Sequence, residues 1–125
     1  MTLLLDAHAL LWWLADDREL SAEARAGIAD PLTRVWVSAV TAWEIAIKRA
    51  LGKLSAPPDL VRQLQREGFD ELPITVADAL HAAELPGHHE DPFGRMLVAQ
   101  AQRRDLTLVS RDPRLRDYGI AVLKA

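Results

Sequence analysis

The feature that most constrains this chain is an alternation of short apolar runs with amphipathic helical segments, beginning with the uninterrupted run Leu3-Leu4-Leu5. A short run without polar positions is typical of a strand buried on both faces of a parallel sheet. Strands that alternate with helices predict an α/β sandwich, in which helices cover both faces of a mainly parallel sheet. The predicted strands are 3–5, 34–38, the short extended piece 72–74, 106–109 and 120–123, and the predicted helices are 7–14, 23–29, 39–51, 57–67, 76–85 and 92–104, with a short helical turn from 112.

Length and composition limit the kinds of protein that this sequence can encode. The 125 residues correspond to one domain, 1–125, and they carry 15 Lys+Arg against 18 Asp+Glu, a formal net charge of −3. The absence of cysteine excludes disulfides, thiolate zinc sites and cysteine nucleophiles. Mild acidity argues against coating nucleic acid through bulk charge, so any nucleic-acid role requires a local site. The apolar runs are too short to span a bilayer and no basic segment precedes the first strand, which predicts a cytoplasmic protein without a membrane anchor.

Three carboxylates stand close behind predicted strands. Asp6 directly follows the first strand, Glu44 lies in the second turn of the helix after the second strand, and Asp112 follows the fourth strand through Ser110 and Arg111. Because ligands collect at the carboxyl ends of parallel strands, we expect these acids to converge on one edge of the sheet. Together they favour a hard divalent cation held by oxygen ligands, Mg²⁺ or Mn²⁺. Such an ion beside a phosphodiester lowers the pKa of bound water and neutralises charge on the leaving oxygen.

Each candidate also has a purely structural interpretation. Asp6 and Asp112 can act as N-caps of the helical segments that follow them. Glu44 lies beside an apolar stripe, where a carboxylate needs a positive partner, and Lys48 one turn later can be that partner in place of a metal. Ser110 can orient metal-bound water or bond the backbone of its own turn. The stripe consists of Val40, Trp43, Ile47 and Leu51, and both Trp43 and Trp36 are expected in the core.

Four segments, in order along nearly the whole chain, carry a family resemblance. They are Leu3 to Trp13, Ser38 to Lys48, His89 to Ala101, and Leu108 to Asp112. These segments resemble the motifs of PIN-domain toxins of the VapC type. The resemblance implies a three-layer α/β/α sandwich and a metal-dependent endoribonuclease, using Mg²⁺ or Mn²⁺, that acts on structured RNA such as tRNA or rRNA. It also implies neutralisation by a VapB-type antitoxin, a homodimer, and a toxin–antitoxin hetero-oligomer.

The third segment departs from the family pattern at one position. The family pattern resembles Asp-Pro-Phe-Asp-Arg, whose second aspartate is the usual metal-site acid, whereas this chain has Gly94 there. Glycine within a helix costs about 0.5–1 kcal/mol relative to alanine, so it has no local advantage. Asp91 remains a candidate ligand, although as an N-cap its carboxylate should face the amides of its own helix. The predicted catalytic set is Asp6, Glu44, Asp112 and Ser110, with Asp91 as a further metal ligand and an activity weakened or lost through Gly94.

Two other function classes compete with metal-dependent RNA hydrolysis. A catalytically dead PIN fold, disabled at Gly94, would bind antitoxin or RNA without cutting it. A receiver-type phospho-acceptor domain would need a paired acid beside the first strand and a lysine at a late strand end, where this chain has Ser110-Arg111-Asp112. Antitoxin is expected on the apolar surface around the first helices and residues 58–67. Lys48, Arg49 and Lys53 are candidate RNA-phosphate contacts, and the adjacent His88 and His89 are not expected to ligate one ion together.

Overall fold

The computed structural model describes residues 1–125, and its centre is a sheet of five parallel strands in the order β3-β2-β1-β4-β5. The first strand lies in the middle because its three leucines are apolar on both faces, and all three are fully buried. The prediction of an α/β sandwich is confirmed, and the sheet is wholly parallel. The strands are β1 (Thr2–Leu5), β2 (Arg34–Ser38), β3 (Asp70–Leu72), β4 (Thr107–Ser110) and β5 (Val122–Lys124).

Six α-helices and one 3₁₀ helix connect and cover the strands. Most begin at a residue whose side-chain oxygen accepts a hydrogen bond from a first-turn amide, as at Ser21, Ser38 and Asp91. No helix is both long and apolar enough to cross a membrane. The helices are α1 (Ala7–Leu14), α2 (Ala22–Ala29), α3 (Ala39–Ala50), α4 (Leu60–Glu67), α5 (Val76–Glu84) and α6 (Pro92–Arg104), and the 3₁₀ helix is Pro113–Tyr118.

Two apolar cores lie on opposite faces of the sheet, because successive strand side chains point in opposite directions. Leu3 and Leu5 belong to one core, together with buried residues of α1, α2 and α4. Leu4 belongs to the other core, which is completed mainly by Leu97 and Val98 of α6. The result is a three-layer arrangement that leaves the carboxyl ends of the strands open at one edge.

The predicted third strand is displaced. The extended piece expected at 72–74 is instead β3 at Asp70–Leu72, which pairs with β2 from Trp36 to Ser38. Pro73 has no N–H group for the ladder, so the strand ends before it. β4 and β5 also begin one and two residues later than predicted, at Thr107 and Val122.

The apolar stripe predicted for α3 is confirmed at Val40, which is buried, and partly at Ile47, which is half-buried, but it is wrong at its other two residues. Trp43 is 61% exposed and Leu51 is 62% exposed, whereas the buried residues of the helix include Thr41 and Glu44. The reason is that α3 packs between α1 and α6, so the face between those two helices is the one removed from solvent. Trp36, also expected in the core, is only half-buried, and the Arg34 guanidinium lies over its ring at 4.2 Å from the centroid.

A buried carboxylate fastens α5 to the C-terminal end of α6. Asp78 is 0% exposed and forms a capping box with Thr75 at the start of α5. Arg104 donates to both Asp78 oxygens, at 2.9 and 3.1 Å, and Arg103 and Gln100 donate as well. Burial alone would raise the pKa of Asp78, but these hydrogen bonds and that from the Thr75 amide hold the pKa well below its usual range.

Candidate active site

The candidate acids meet at the carboxyl edge of the sheet. Asp6 immediately follows β1, and its N–H donates to Val109 O of the neighbouring strand at 3.2 Å. Ser110 is the last residue of that strand, β4. A cavity of about 180 Å³ opens at this point between β1, β4, α3 and α6. Among the residues that line it are all five predicted site residues, namely Asp6, Glu44, Asp91, Ser110 and Asp112.

Asp6 both caps helix α1 and lines the cavity. One carboxylate oxygen accepts from the Ala9 N–H at 2.9 Å, so Asp6 is the N-cap of α1, as its structural interpretation predicts. Burial raises the pKa of the Asp6 carboxyl, although hydrogen bonds from Ser110 and Ala9 offset part of the rise. The negative charge of Glu44 acts in the same direction as burial. A cation in the cavity would relieve both effects.

Glu44 and Lys48 form an ion pair inside the cavity wall. Glu44 is 7% exposed, and its Oε2 lies 2.5 Å from the Lys48 ammonium one helical turn later. The positive partner required by a buried carboxylate is therefore present in the chain itself. Lys48 is one of the three predicted RNA-phosphate contacts, and this ion pair engages it. The other two, Arg49 and Lys53, are exposed and take part in no ion pair.

Asp112 is the most heavily bonded acid of the site. It is the N-cap of the 3₁₀ helix through the Arg114 N–H at 3.0 Å, and the Arg114 guanidinium donates to both of its oxygens. His89 Nε2 lies 2.7 Å from Asp112 Oδ2. The hydrogen bonds from Arg114, followed by those from His89, hold the pKa of Asp112 well below its usual range. The Asp112 carboxylate is therefore anionic, and its orientation is set by its neighbours.

Asp91 and Gly94 stand at the start of α6. Asp91 Oδ1 accepts from the Phe93 N–H at 3.0 Å, so Asp91 caps the helix as predicted. Gly94 is buried against the cavity. A Cβ atom at Gly94 would lie 3.5 Å from His89 Nε2, 3.6 Å from Leu115 Cδ2 and 3.7 Å from Asp91 Oδ2. The cavity therefore has room for a small side chain at position 94, and two of its three nearest neighbours would be polar.

His89 is the site residue that sequence reasoning missed. It is 6% exposed, and its ring reaches across to Asp112 from the loop before α6. The sequence shows only a histidine pair on a loop, and nothing in that pattern indicates burial or a partner 23 residues away. His88, its neighbour, is exposed and packs edge-on against Tyr118. The two histidines therefore have different surroundings, one in the cavity wall and one on the surface.

The donor set is suited to a hard cation, although its acids are held by protein partners. The lining supplies carboxylate and hydroxyl oxygens, the ligands that Mg²⁺ and Mn²⁺ prefer. No group of three or more His, Asp and Glu side chains is gathered closely enough to hold a metal ion. Lys48 on Glu44, and Arg114 with His89 on Asp112, occupy oxygens that a cation would otherwise bind. The oxygen donors are therefore of the type that a hard cation binds, and the negative charges of Glu44 and Asp112 are balanced by basic side chains of the same protein.

Fold and cavity together define a class: a small α/β domain whose parallel sheet carries an acidic site at its carboxyl edge. The family model described as "PIN domain" matches residues 3–121, and the chain belongs to the PIN-domain family. It is 32% identical over 126 residues to Ribonuclease VapC22 of Mycobacterium tuberculosis (strain ATCC 25618 / H37Rv). That alignment covers 94% of this chain and 92% of the relative. The resemblance to the VapC type drawn from the motifs is confirmed.

Solved structures share the fold at low sequence identity. The VapBC2 structure from Rickettsia felis, bound to a DNA fragment from its promoter, has a TM-score of 0.69 at 9% identity and covers 98% of both chains. FitAcB from Neisseria gonorrhoeae has a TM-score of 0.67 at 19% identity and covers 98% of this chain and 96% of its own. A toxin–antitoxin complex from Klebsiella pneumoniae has a TM-score of 0.68 at 17% identity, covering 97% and 95%. At these identities the likeness shows the fold.

Proposed function

We propose that this protein is the toxin of a type II toxin–antitoxin pair and acts as a metal-dependent endoribonuclease that hydrolyses RNA phosphodiester bonds. The observation that carries the proposal is the convergence of Asp6, Glu44, Asp91, Asp112 and Ser110 on one cavity at the carboxyl edge of a PIN-domain sheet. The name of its VapC relative supports ribonuclease activity. The proposed substrate is an RNA of the tRNA or rRNA class, and the proposed site of action is the cytoplasm.

Asp6, Glu44 and Asp112 would hold Mg²⁺ or Mn²⁺, with Asp91 as a further ligand. Such an ion supplies activated water and charge neutralisation at the leaving oxygen. The chain's own contribution is orientation: Ser110 lies beside Asp6, and Arg114 and His89 hold Asp112 in place. Lys48 balances the buried charge of Glu44.

The direct test is cleavage of total RNA by the purified protein. We expect cleavage with Mg²⁺ or Mn²⁺, weakened by the glycine at position 94, and none in excess EDTA, because water activation depends on the cation. Products resolved on a denaturing gel are the measurement, and restoring Mn²⁺ after EDTA is the control for chelator damage. Protein that is folded and binds an antitoxin but never cuts, even in abundant Mn²⁺, would favour the alternative of a catalytically dead binding module.

A second groove, of about 720 Å³, continues from the acidic cavity and shares Ser110, Arg111 and Asp112 with it. Three exposed cations line this groove: Arg111 is paired with Glu19, whereas Arg116 and Lys124 take part in no ion pair. Basic side chains beside a phosphodiester-cleaving site suit the phosphates of the same RNA strand. We therefore propose that the RNA backbone follows this groove, at the β5 edge of the sheet.

Replacing the two unpaired groove cations, Arg116→Gln with Lys124→Gln, should raise KM for RNA with little change in kcat at saturating RNA. A side chain that no longer meets a phosphate of single-stranded RNA should reduce the slope of log K against log salt by about 0.7, or about 1.4 for the pair. Nitrocellulose-filter binding across a salt series measures the slope. Arg62→Gln with Arg66→Gln is the matched control, because both lie exposed on α4 beside the opposite edge strand. Equal slopes for the two double variants would exclude this RNA path.

The antitoxin proposal is supported by an apolar groove beside α4. Leu60, Val61 and Leu64 line a cavity of about 310 Å³ together with residues of β2, β3 and α3, and Val61 is 58% exposed. This is part of the region, 58–67, expected to contact a VapB-type antitoxin. A homodimer within the hetero-oligomer is proposed on the resemblance to VapC-type toxins.

A further inference from the structure

One large aromatic side chain of α3 is open to solvent beside the acidic cavity. Trp43 is 61% exposed, although the residue that follows it, Glu44, lines the cavity. Its nearest exposed neighbours on the same helix are Ala39 and Ala46. On α3 the indole is therefore a single large ring among small side chains, whereas a stable protein interface needs an extended apolar patch.

Phe93 at the start of α6 supports the indole from one side. The two ring centroids are 5.6 Å apart, and the rings are nearly perpendicular, at 78°. Phe93 is half-buried and packs against the core that contains Leu4 and Leu97, so its own position is fixed. In a perpendicular contact the edge of one ring meets the face of the other. Phe93 therefore covers at most one face of Trp43 and leaves another face open.

The aromatic pair lies at the rim of the cavity. Trp43 directly precedes Glu44 on α3, Phe93 directly precedes Gly94 on α6, and both following residues line the cavity. The groove with the two unpaired cations leaves the cavity on its other side, along β4 and β5. An RNA strand whose phosphates follow that groove therefore reaches the aromatic pair when it crosses the cavity.

We propose that Trp43, supported by Phe93, is a stacking platform for one unpaired base of the RNA beside the phosphodiester in the cavity. The proposal rests on the proposed action on RNA, but it needs no metal ion, because stacking involves only the ring and the base. Every base has a π face, so the platform accepts any sequence. It selects for an unpaired nucleotide, since the bases of a duplex are stacked on one another.

The test is binding of a fluorescently labelled oligouridylate in EDTA, measured by anisotropy. Trp43→Ala should weaken binding about 5- to 150-fold, the range for the loss of one stacked base. Trp43→Phe keeps an aromatic face and should retain most of the affinity. Leu80→Ala is the matched control and should bind as the parent does, because Leu80 is 63% exposed on α5 and does not line the cavity.

An abasic strand separates stacking from phosphate contacts. A ribose-phosphate oligomer of the same length keeps the charges and lacks the bases, so the parent and Trp43→Ala should bind it equally. Trp43→Ala should also leave the slope of log K against log salt unchanged, because it removes no phosphate contact. Oligouridylate should quench tryptophan emission in the parent, and this quenching should fall in Trp43→Phe although the variant still binds.

The outcomes separate the stacking role from the proposed ribonuclease activity. Parent protein that cuts RNA, with Trp43→Ala unchanged in oligouridylate affinity, would overturn the stacking role alone. Equal weakening of oligouridylate and abasic-strand binding in Trp43→Ala would overturn it as well, because the effect would not depend on a base. Sedimentation that shows a dimeric parent and a monomeric Trp43→Ala would assign the ring to a protein interface instead.

A base-dependent loss of affinity in a protein that never cuts RNA would establish the platform and overturn the ribonuclease. Parent protein that neither cuts RNA nor binds oligouridylate would overturn both. Base-dependent weakening in Trp43→Ala, retention in Trp43→Phe and an unchanged salt slope would establish the stacking role.

Discussion

Asp6→Asn should reduce metal-dependent RNA cleavage by at least about a hundredfold, the scale expected when a reacting group is displaced by about 1 Å. The substitution removes a buried negative charge from the end of β1, so the cavity loses one of the anions that would hold the cation. Asparagine is as good an N-cap as aspartate, so α1 should keep its hydrogen bond from the Ala9 amide. Single-turnover cleavage at saturating Mn²⁺ is the measurement.

The design separates catalysis from capping. The Asp6→Asn variant should melt at or above the temperature of the parent in EDTA, because a desolvated charge near Glu44 has been removed. Asp30→Asn is the control, since Asp30 is exposed and its side chain accepts only from the Leu32 N–H. If Asp6→Asn cut RNA at the parental rate, Asp6 would be a helix cap and no more.

Asp78→Ala should lower the free energy of unfolding by about 3–5 kcal/mol, the usual cost of breaking a buried ion pair by removing one partner. The substitution leaves Arg103 and Arg104 without their carboxylate and removes the capping box with Thr75. Denaturant unfolding followed by circular dichroism measures the change. Asp59→Ala is the matched control, because Asp59 begins α4 without a side-chain cap bond and is exposed, so its effect should stay within about 0.5 kcal/mol. Equal destabilisation in the two variants would show that the Asp78 network contributes little.

The same carboxylate predicts a pH dependence of stability. A group whose pKa is lower in the folded protein stabilises it above the unfolded pKa, and this contribution is lost as pH falls toward the folded pKa. The pKa of Asp78 is lowered, so the stability difference between the parent and Asp78→Asn should shrink as pH drops below about 4. Asp112 has the same sign, whereas the raised pKa of Asp6 has the opposite sign and costs stability at neutral pH. Taking the difference between the two proteins isolates Asp78. A difference that grew toward low pH would contradict the assignment.

Much of the fold follows from local chemistry in the sequence. The buried leucine run and the serine and aspartate caps act within a few residues, so the order of elements and most boundaries can be predicted from sequence alone. The orientation of α3 could not, because it depends on two helices that pack on it from different parts of the chain. Helical spacing alone predicts that Trp43 points inward, whereas the packed helix leaves it exposed.

Some residues of the candidate site can also be predicted from the sequence, and others cannot. The topology rule for parallel sheets brings Asp6, Ser110 and Asp112 to one edge, and Glu44 follows from the helix that leaves β2. His89 could not be predicted, because its position depends on Arg95 and Tyr118, which anchor its loop through backbone groups. Such contacts leave no spacing pattern in a single sequence.

The two ends of α6 differ in how strongly a substitution there should affect the stability of the protein. The Asp78 network holds the C-terminal end, and Gly94 lies nine residues before Arg103, about 14 Å away along the helix axis. A residue can therefore be exchanged at the cavity end without loosening the attachment that keeps the helix on the sheet. Glycine at position 94 costs the helix about 0.5–1 kcal/mol relative to alanine, well below the contribution of the distant attachment. A substitution at the acidic end of α6 should therefore change the chemistry of the site while the Asp78 network still holds the helix on the sheet.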